Sequence, residues 1–258
     1  EIFCKILKRI RKGMKMIMIR NIVNKVFRKV FRGGYYDGNE YINYLRKCGV
    51  KVGENCTFYD CNNVSIDTQN PHMIEIGDFV RITSGVQILT HDYSFSVLCS
   101  VEGGIVGSVE KTVIGNNVFI GRNAIILKGV YVGNNVIIGA GSIVSKNCED
   151  NSVYAGNPAK RICSIDEMYK KRKSKMLDNA KNVVISYYKR YGTIPDKSIL
   201  REYQMIFDDR SSIPQSLDDL MRDSGCYEKC IAYYKNSDPM FRNYDDFLNW
   251  CNLSQIKE

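Results

Sequence analysis

Aliphatic residues recur at every sixth position through the middle of the chain, at Ile114, Ile120, Ile126, Val132, Ile138 and Val144. A helix repeats at about 3.6 residues and an isolated strand at about 2, so this spacing marks a repeat architecture instead. Gly follows several of the aliphatics (Gly115, Gly121, Gly133, Gly139), and the fifth place of the hexad holds Val118, Ala124, Val130, Val136 and Ser142, all small or β-branched. The same unit stands upstream at Val52 to Cys56 and at Ile76 to Val80, followed by Ile82 and Ile88. Each hexad predicts a short strand and a sharp turn, with three hexads making one triangular coil whose aliphatics point inward. A single coil buries little. Stacked coils share a continuous core, and Gly or Asn at the corners supplies the left-handed backbone that the turns need.

The repeat runs from about Val52 to Asn157 and is broken once, between His91 and Lys111, by a stretch rich in Ser and Gly. That composition predicts a loop, 92–110, ejected from the stack without disturbing it. Residues 1–48 interleave basic and apolar positions in helical fashion, while residues 164–258 lose the hexads and read as helices broken near Gly192, Pro195, Pro214, Gly225 and Pro239. The expected organisation is a basic amphipathic helical segment over 1–48, a repeat domain over 49–163 and an α-helical region over 164–258.

Charge adds a second layer. The formal net charge is +9, much of it in two blocks, Lys5 to Arg32 and Lys170 to Lys175. Neither zinc-finger spacing nor an aromatic-interleaved basic stripe accompanies them, which argues against a nucleic-acid reader and leaves a polyanionic small molecule or an anionic surface. From Ile6 to Phe31 no acidic residue interrupts the alternation of apolar residues and cations. Residues 5–32 are therefore expected either to touch an anionic membrane peripherally or to cap the end of the repeat. No apolar run approaches the roughly 20 residues of a spanning helix, and nothing resembles a signal peptide, so a cytoplasmic location is expected. The ten cysteines are scattered from Cys4 to Cys251, which favours reduced thiols over a disulfide framework.

The stretch Ile114 to Ile162, above all Gly139-Ala140-Gly141-Ser142 and Tyr154-Ala155-Gly156-Asn157-Pro158-Ala159-Lys160, resembles the hexapeptide-repeat acyltransferases. Within them, the segment Ile88-Leu89-Thr90-His91-Asp92 is similar to the branch that acetylates sugars, antibiotics and surface or capsular polysaccharides. The resemblance covers roughly residues 40 to 163. It implies a mainly β fold, a left-handed parallel β-helix, and a homotrimer with acetyl-CoA sites in the grooves between neighbouring subunits. It also implies acetyl transfer to a saccharide hydroxyl, with backbone groups of Gly121, Ala140 and Ser142 along the pantetheine arm and Lys160 and Arg161 facing the nucleotide phosphates. Asp60 falls near the place where sugar-acetylating relatives carry an acceptor-binding Asn.

Residue chemistry points the same way. Attack of an alcohol on a thioester needs a group to take the hydroxyl proton, and neutral imidazole has the right basicity. His91 stands where the regular coil ends and the loop begins, a place that opens onto a groove. Asp92 is a candidate acceptor contact or a partner for His91, although adjacent residues on an extended chain point apart. His72 follows Pro71 in an irregular hexad and reads as structural. The two histidines cannot supply the three protein ligands of an open catalytic zinc site, so no metal is expected. Cys226, Cys230 and Cys251 lack metal-site spacing and read as free thiols. A nucleotidyltransferase would need a Gly-rich nucleotide domain ahead of the coils, for which the N-terminal segment is too short. Two readings stay open beside O-acetyl transfer: an amine acceptor on an amino sugar, and a trimeric scaffold without catalysis.

Overall fold

The computed structural model describes residues 37–252, so the basic segment 5–32 and its membrane or capping role lie outside the described residues. The chain divides into two compact units, Glu1–Ile165 and Asp166–Glu258.

In the first unit the hexads become very short strands: β1 (Lys51–Val52), β2 (Thr57–Phe58), β3 (Ser65–Ile66), β4 (Ile74–Ile76), β5 (Arg81–Ile82), β6 (Gln87–Ile88), β7 (Thr112–Ile114), β8 (Phe119–Ile120), β9 (Ile125–Ile126), β10 (Tyr131–Val132), β11 (Ile137–Ile138) and β12 (Ile143–Val144). They enter three sheets in strict rotation, β1-β4-β7-β10, β2-β5-β8-β11 and β3-β6-β9-β12, and every one of these pairings is parallel. In register, Ile76, Ile114 and Val132 stack on one side, Ile82, Ile120 and Ile138 on the second, and Ile88, Ile126 and Val144 on the third. All nine are buried, so the six-residue period is the period of the core. Each such side chain contributes about 1.5–3 kcal/mol when fully withdrawn from water.

One corner is held by a ladder of short polar side chains. The Oδ1 atoms of Asp78, Asn116, Asn134 and Asp150 accept from the backbone N–H of the preceding circuit, at 2.7 to 2.8 Å. The next residue along takes positive φ at each turn: Asn55, Phe79, Asn117, Asn135 and Asn151. Gly115 sits in the same corner because a Cβ there would lie 2.7 Å from the Gly133 carbonyl oxygen.

Both ends of this core are closed. Helix α1 (Gly38–Cys48), N-capped by Asp37 and ended by Gly49 in the left-handed region, buries Tyr41, Ile42 and Leu45. Its Tyr41 ring packs edge-on against Phe58. At the other end β13 (Ser152–Ala155) lies parallel on β11, and β14 (Lys160–Ser164) folds back antiparallel on β13. The hexad pattern did not indicate this closing hairpin. The ejected segment also differs from a plain loop: it contains α2 (Phe95–Glu102), which buries none of its residues within the chain. Its sequence, short and apolar with Gly103 behind it, forms a helix even though the described residues cover it only in part, at Phe95 and Cys99.

The second unit is helical, as the loss of hexads predicts: α3 (Ile165–Tyr191), a kinked 3-10 stretch (Lys197–Ile206), α4 (Gln215–Asp223), α5 (Tyr227–Asn236) and α6 (Tyr244–Cys251). Ala180, Val184, Leu200, Phe207 and Phe247 form one core and Leu217, Met221 and Tyr234 a second. Among the described residues no helix is long and apolar enough to cross a membrane.

Candidate active site

His91 lies three residues past the inward Ile88, at the neck of the ejected segment. There His91 bridges antiparallel to Val109, and the Glu110 N–H donates to the Thr90 carbonyl at 2.9 Å. The two ends of the segment are thus zipped together at the side of the stack, between β6 and β7, and the imidazole is fixed at the place where the chain leaves and re-enters the coil. Its side chain is 20% exposed.

The imidazole has a partner that sequence did not single out. Asp67 follows Ile66, which pairs with Ile88 one circuit on, so the stacking places its carboxylate beside the His91 ring. His91 Nδ1 and Asp67 Oδ2 are 2.5 Å apart, and the carboxylate is 7% exposed. The same Oδ2 accepts from the Thr90 N–H at 3.2 Å and from the Thr90 hydroxyl, and Oδ1 accepts from the Gln69 N–H at 2.9 Å. Burial pushes the Asp67 carboxyl up, but the hydrogen bonds from Thr90, Gln69 and His91 outweigh it and hold it below its ordinary value. An ionised carboxylate only accepts, so Nδ1 carries a proton, and in the neutral imidazole this leaves the lone pair on Nε2. That is the tautomer a general base requires.

Asp92 is occupied elsewhere. Its Oδ1 accepts from Ser94 N and Oγ at 2.9 and 2.5 Å, and its Oδ2 pairs with Lys128, which also reaches Ser108. Lys128, with Ser94 after it, holds the Asp92 carboxyl far below the carboxylate range. Asp60 Oδ2 accepts from Ser84 Oγ at 2.7 Å and Asn63 Nδ2 at 2.6 Å, bonds that knit a turn to the neighbouring circuit. His72 is exposed on the short 3-10 turn Pro71–Met73. Beside His91 the Tyr93 ring stands edge-on at 5.9 Å, followed by the exposed Val97, Leu98, Val101, Ile105 and Val106.

Of the residues expected to meet a coenzyme, Gly121 and Ala140 lie back to back, since a Cβ on Gly121 would fall 2.6 Å from Ala140 N. Ser142 is fully buried, its Oγ accepting from Gly156 N at 3.2 Å and its carbonyl from Ile125 N at 2.8 Å, so within one chain it turns neither group to the surface. Lys160 and Arg161 are exposed on β14, with Arg161 3.6 Å from Glu149.

Residues 111–146 match the family described as bacterial transferase hexapeptide (six repeats). The chain is 48% identical to Protein CapG of Staphylococcus aureus over 136 residues, 53% of this chain and 76% of CapG. The chain belongs to the bacterial hexapeptide-repeat transferases. This transferase is also 29% identical to a chloramphenicol acetyltransferase of Klebsiella aerogenes over 160 residues, 56% of this chain and 69% of that one. Among solved structures, a maltose O-acetyltransferase from Clostridium difficile 630 is 26% identical, with 58% of this chain and 88% of that chain covered at a TM-score of 0.38.

The signal that would have found Asp67 in the transferase sequence is register. Between Ile66 and Ile88 the circuit is lengthened by the 3-10 turn Pro71–Met73, so the regular eighteen-residue step seen from Asn116 to Asn134 does not lead from His91 back to Asp67.

Proposed function

We propose that the protein is an acetyl-CoA-dependent O-acetyltransferase for a saccharide hydroxyl, with its three sheets wound as a left-handed parallel β-helix and three chains sharing the active sites. Surface or capsular polysaccharide modification in the cytoplasm is the setting this reading carries. The observation that carries it is the His91–Asp67 pair at the neck of the ejected segment, 2.5 Å apart with Nε2 as the free base. A scaffold has no use for an imidazole oriented by a buried carboxylate, which favours chemistry over the non-catalytic reading.

In this mechanism acetyl-CoA supplies an activated thioester. His91 Nε2 takes the proton of the acceptor hydroxyl as that oxygen attacks the acetyl carbonyl, and Asp67 stabilises the imidazolium that results. The C–S bond then breaks, and His91 returns the proton to the departing thiolate. Ala140 is exposed to an extended pantetheine, with Gly121 buried against it, and Lys160 and Arg161 are exposed to meet phosphates. The exposed apolar residues of α2 and the segment after it form a surface that a neighbouring subunit would cover.

His91→Ala should lower turnover about a hundredfold or more while CoA binding, read by thermal shift, stays intact. Acetyl-CoA consumption against a panel of sugars, amino sugars and lipid-linked oligosaccharides separates hydroxyl from amine acceptors. Activity that survives His91→Ala removes His91 from the mechanism. An acetyl adduct on Cys or Ser that acceptor discharges replaces direct attack with a covalent route.

A further inference from the structure

Several tyrosines of the helical unit are tied into its framework, and others are not. The hydroxyls of Tyr227 and Tyr244 donate to Asp218 at 2.6 Å and to the Pro195 carbonyl at 2.8 Å, and that of Tyr234 to Asp208, so these three are part of the framework. Tyr169 and Tyr233 instead are 54% and 51% exposed. They line a cleft of about 570 Å³ together with Tyr203, Arg172, Asn179 and Glu202. Its walls come from three elements: Tyr169, Arg172 and Asn179 from α3, Glu202 and Tyr203 from the 3-10 stretch Lys197–Ile206, and Tyr233 from α5.

Solvation alone gives no reason to gather exposed phenol rings, a guanidinium, an amide and a carboxylate around one concavity. As a binding site the set is coherent. Its volume falls within the roughly 300–1,000 Å³ of small-molecule sites. Amphipathic rings of Tyr offer flat apolar faces with a polar edge, the match for a pyranose that shows C–H groups on its faces and hydroxyls at its rim. Asn179 and Glu202 supply an amide and an acceptor carboxylate for such hydroxyls. Arg172 presents a planar fork that recognises carboxylate or phosphate, and it sits in the block Lys170, Lys171, Arg172, Lys173, Lys175. Within that block Lys170 pairs with Asp166 at 2.7 Å, and Lys173 Nζ stands 5.9 Å over the Tyr169 ring. A single-stranded nucleic acid would also stack on tyrosine, but it needs a basic groove tracking successive phosphates, whereas the cations lining this cleft are Arg172 and Lys173, neighbours on one helix.

We infer that this cleft binds a segment of an anionic saccharide, stacking sugar rings on Tyr169 and Tyr233 and holding a carboxylate or phosphate substituent on Arg172. The ligand class rests on the saccharide acceptor of the reading above; the binding step itself does not require His91.

The test is isothermal titration of the full chain with an oligoguluronate hexasaccharide, with maltohexaose as the neutral counterpart and a single-stranded oligonucleotide of equal charge. The oligoguluronate is expected to bind more tightly than either. Tyr169→Ala/Tyr233→Ala should weaken it about tenfold or more, Tyr233→Phe should retain it, and Arg172→Gln should bring it down to the level of maltohexaose. Both rings are more than half exposed, so the melting temperature of each variant serves as a folding control. His91→Ala should bind the oligoguluronate as the wild type does, so loss of catalysis and loss of this site are read separately. The inference is overturned if neither saccharide binds, if the tyrosine double variant binds as well as wild type, or if the oligonucleotide binds more tightly.

Discussion

Asp67 carries two separable duties, and each can be measured. It fixes the His91 tautomer, so Asp67→Asn, which puts a neutral amide on Nδ1, should reduce turnover at least about tenfold with little change in CoA binding. Its second duty is to stability. The folded carboxyl lies below its ordinary 3.8, so the stabilisation it contributes is fully present above 3.8 and is lost as pH falls through the lower folded value. The gap in melting temperature between wild type and Asp67→Asn should therefore be widest near neutrality and close on acidification through and below 3.8; a gap that stays constant across that range would mean the hydrogen bonds to Thr90 and Gln69 are not charge-assisted. Phe79 offers a test of the corner. It is the non-Asn member of the series Asn55, Phe79, Asn117, Asn135 and Asn151, all at φ between 54° and 58°, where an aromatic side chain is disfavoured. Below it Asn117 and Asn135 pass side-chain hydrogen bonds of 2.8 Å down the stack. Phe79→Asn should relieve backbone strain of about 1 kcal/mol and raise the melting temperature by a few degrees.

At the scale of elements, the ejected segment is tied down by one side chain from the next circuit. Lys128, 21% exposed, reaches both Asp92 and Ser108, the two ends of the segment. Lys128→Met keeps the stem and removes the ammonium, so cleavage within 92–110 by a dilute protease should speed up by several-fold, on the order of 1 kcal/mol of local opening. An unchanged cleavage rate would show that the His91–Val109 bridge suffices alone. Strand positions were legible in sequence because each is a local decision: an aliphatic inward, a β-branched or small residue four places on, a turn residue between. Ile114 through Val144 follow that rule without interruption and all are buried. What was not legible depends on contacts between circuits of unequal length. Asp67 meets His91 only because Ile66 pairs with Ile88 across an irregular circuit. The β13–β14 hairpin depends on how the last circuit is closed, and α2 buries nothing whose pattern could have announced it. The position of His91 at the neck of the segment was readable because it stands at the boundary between two such regimes.

At the scale of the whole molecule, the proposed trimer would cover surface that the described residues of one chain leave exposed. Val97, Val101, Ile105 and Val106 are between 62% and 79% exposed, clustered in one segment beside the candidate base, and soluble chains seldom leave such apolar surface uncovered. A flat sheet offers one wall to an extended coenzyme arm, whereas a second chain alongside makes a groove. Packing of three such chains around one axis satisfies both needs with a single repeated contact. Light scattering should return a mass near three times that of the chain. On dilution or in mild denaturant, activity per chain should fall in step with the loss of that mass, before the melting signal of the coils changes. Val101→Asp/Ile105→Asp, which charges the exposed segment and leaves the core aliphatics alone, should shift the trimer toward monomers and remove activity together. Monomers that keep full turnover would place the complete site within one chain and end the shared-site model.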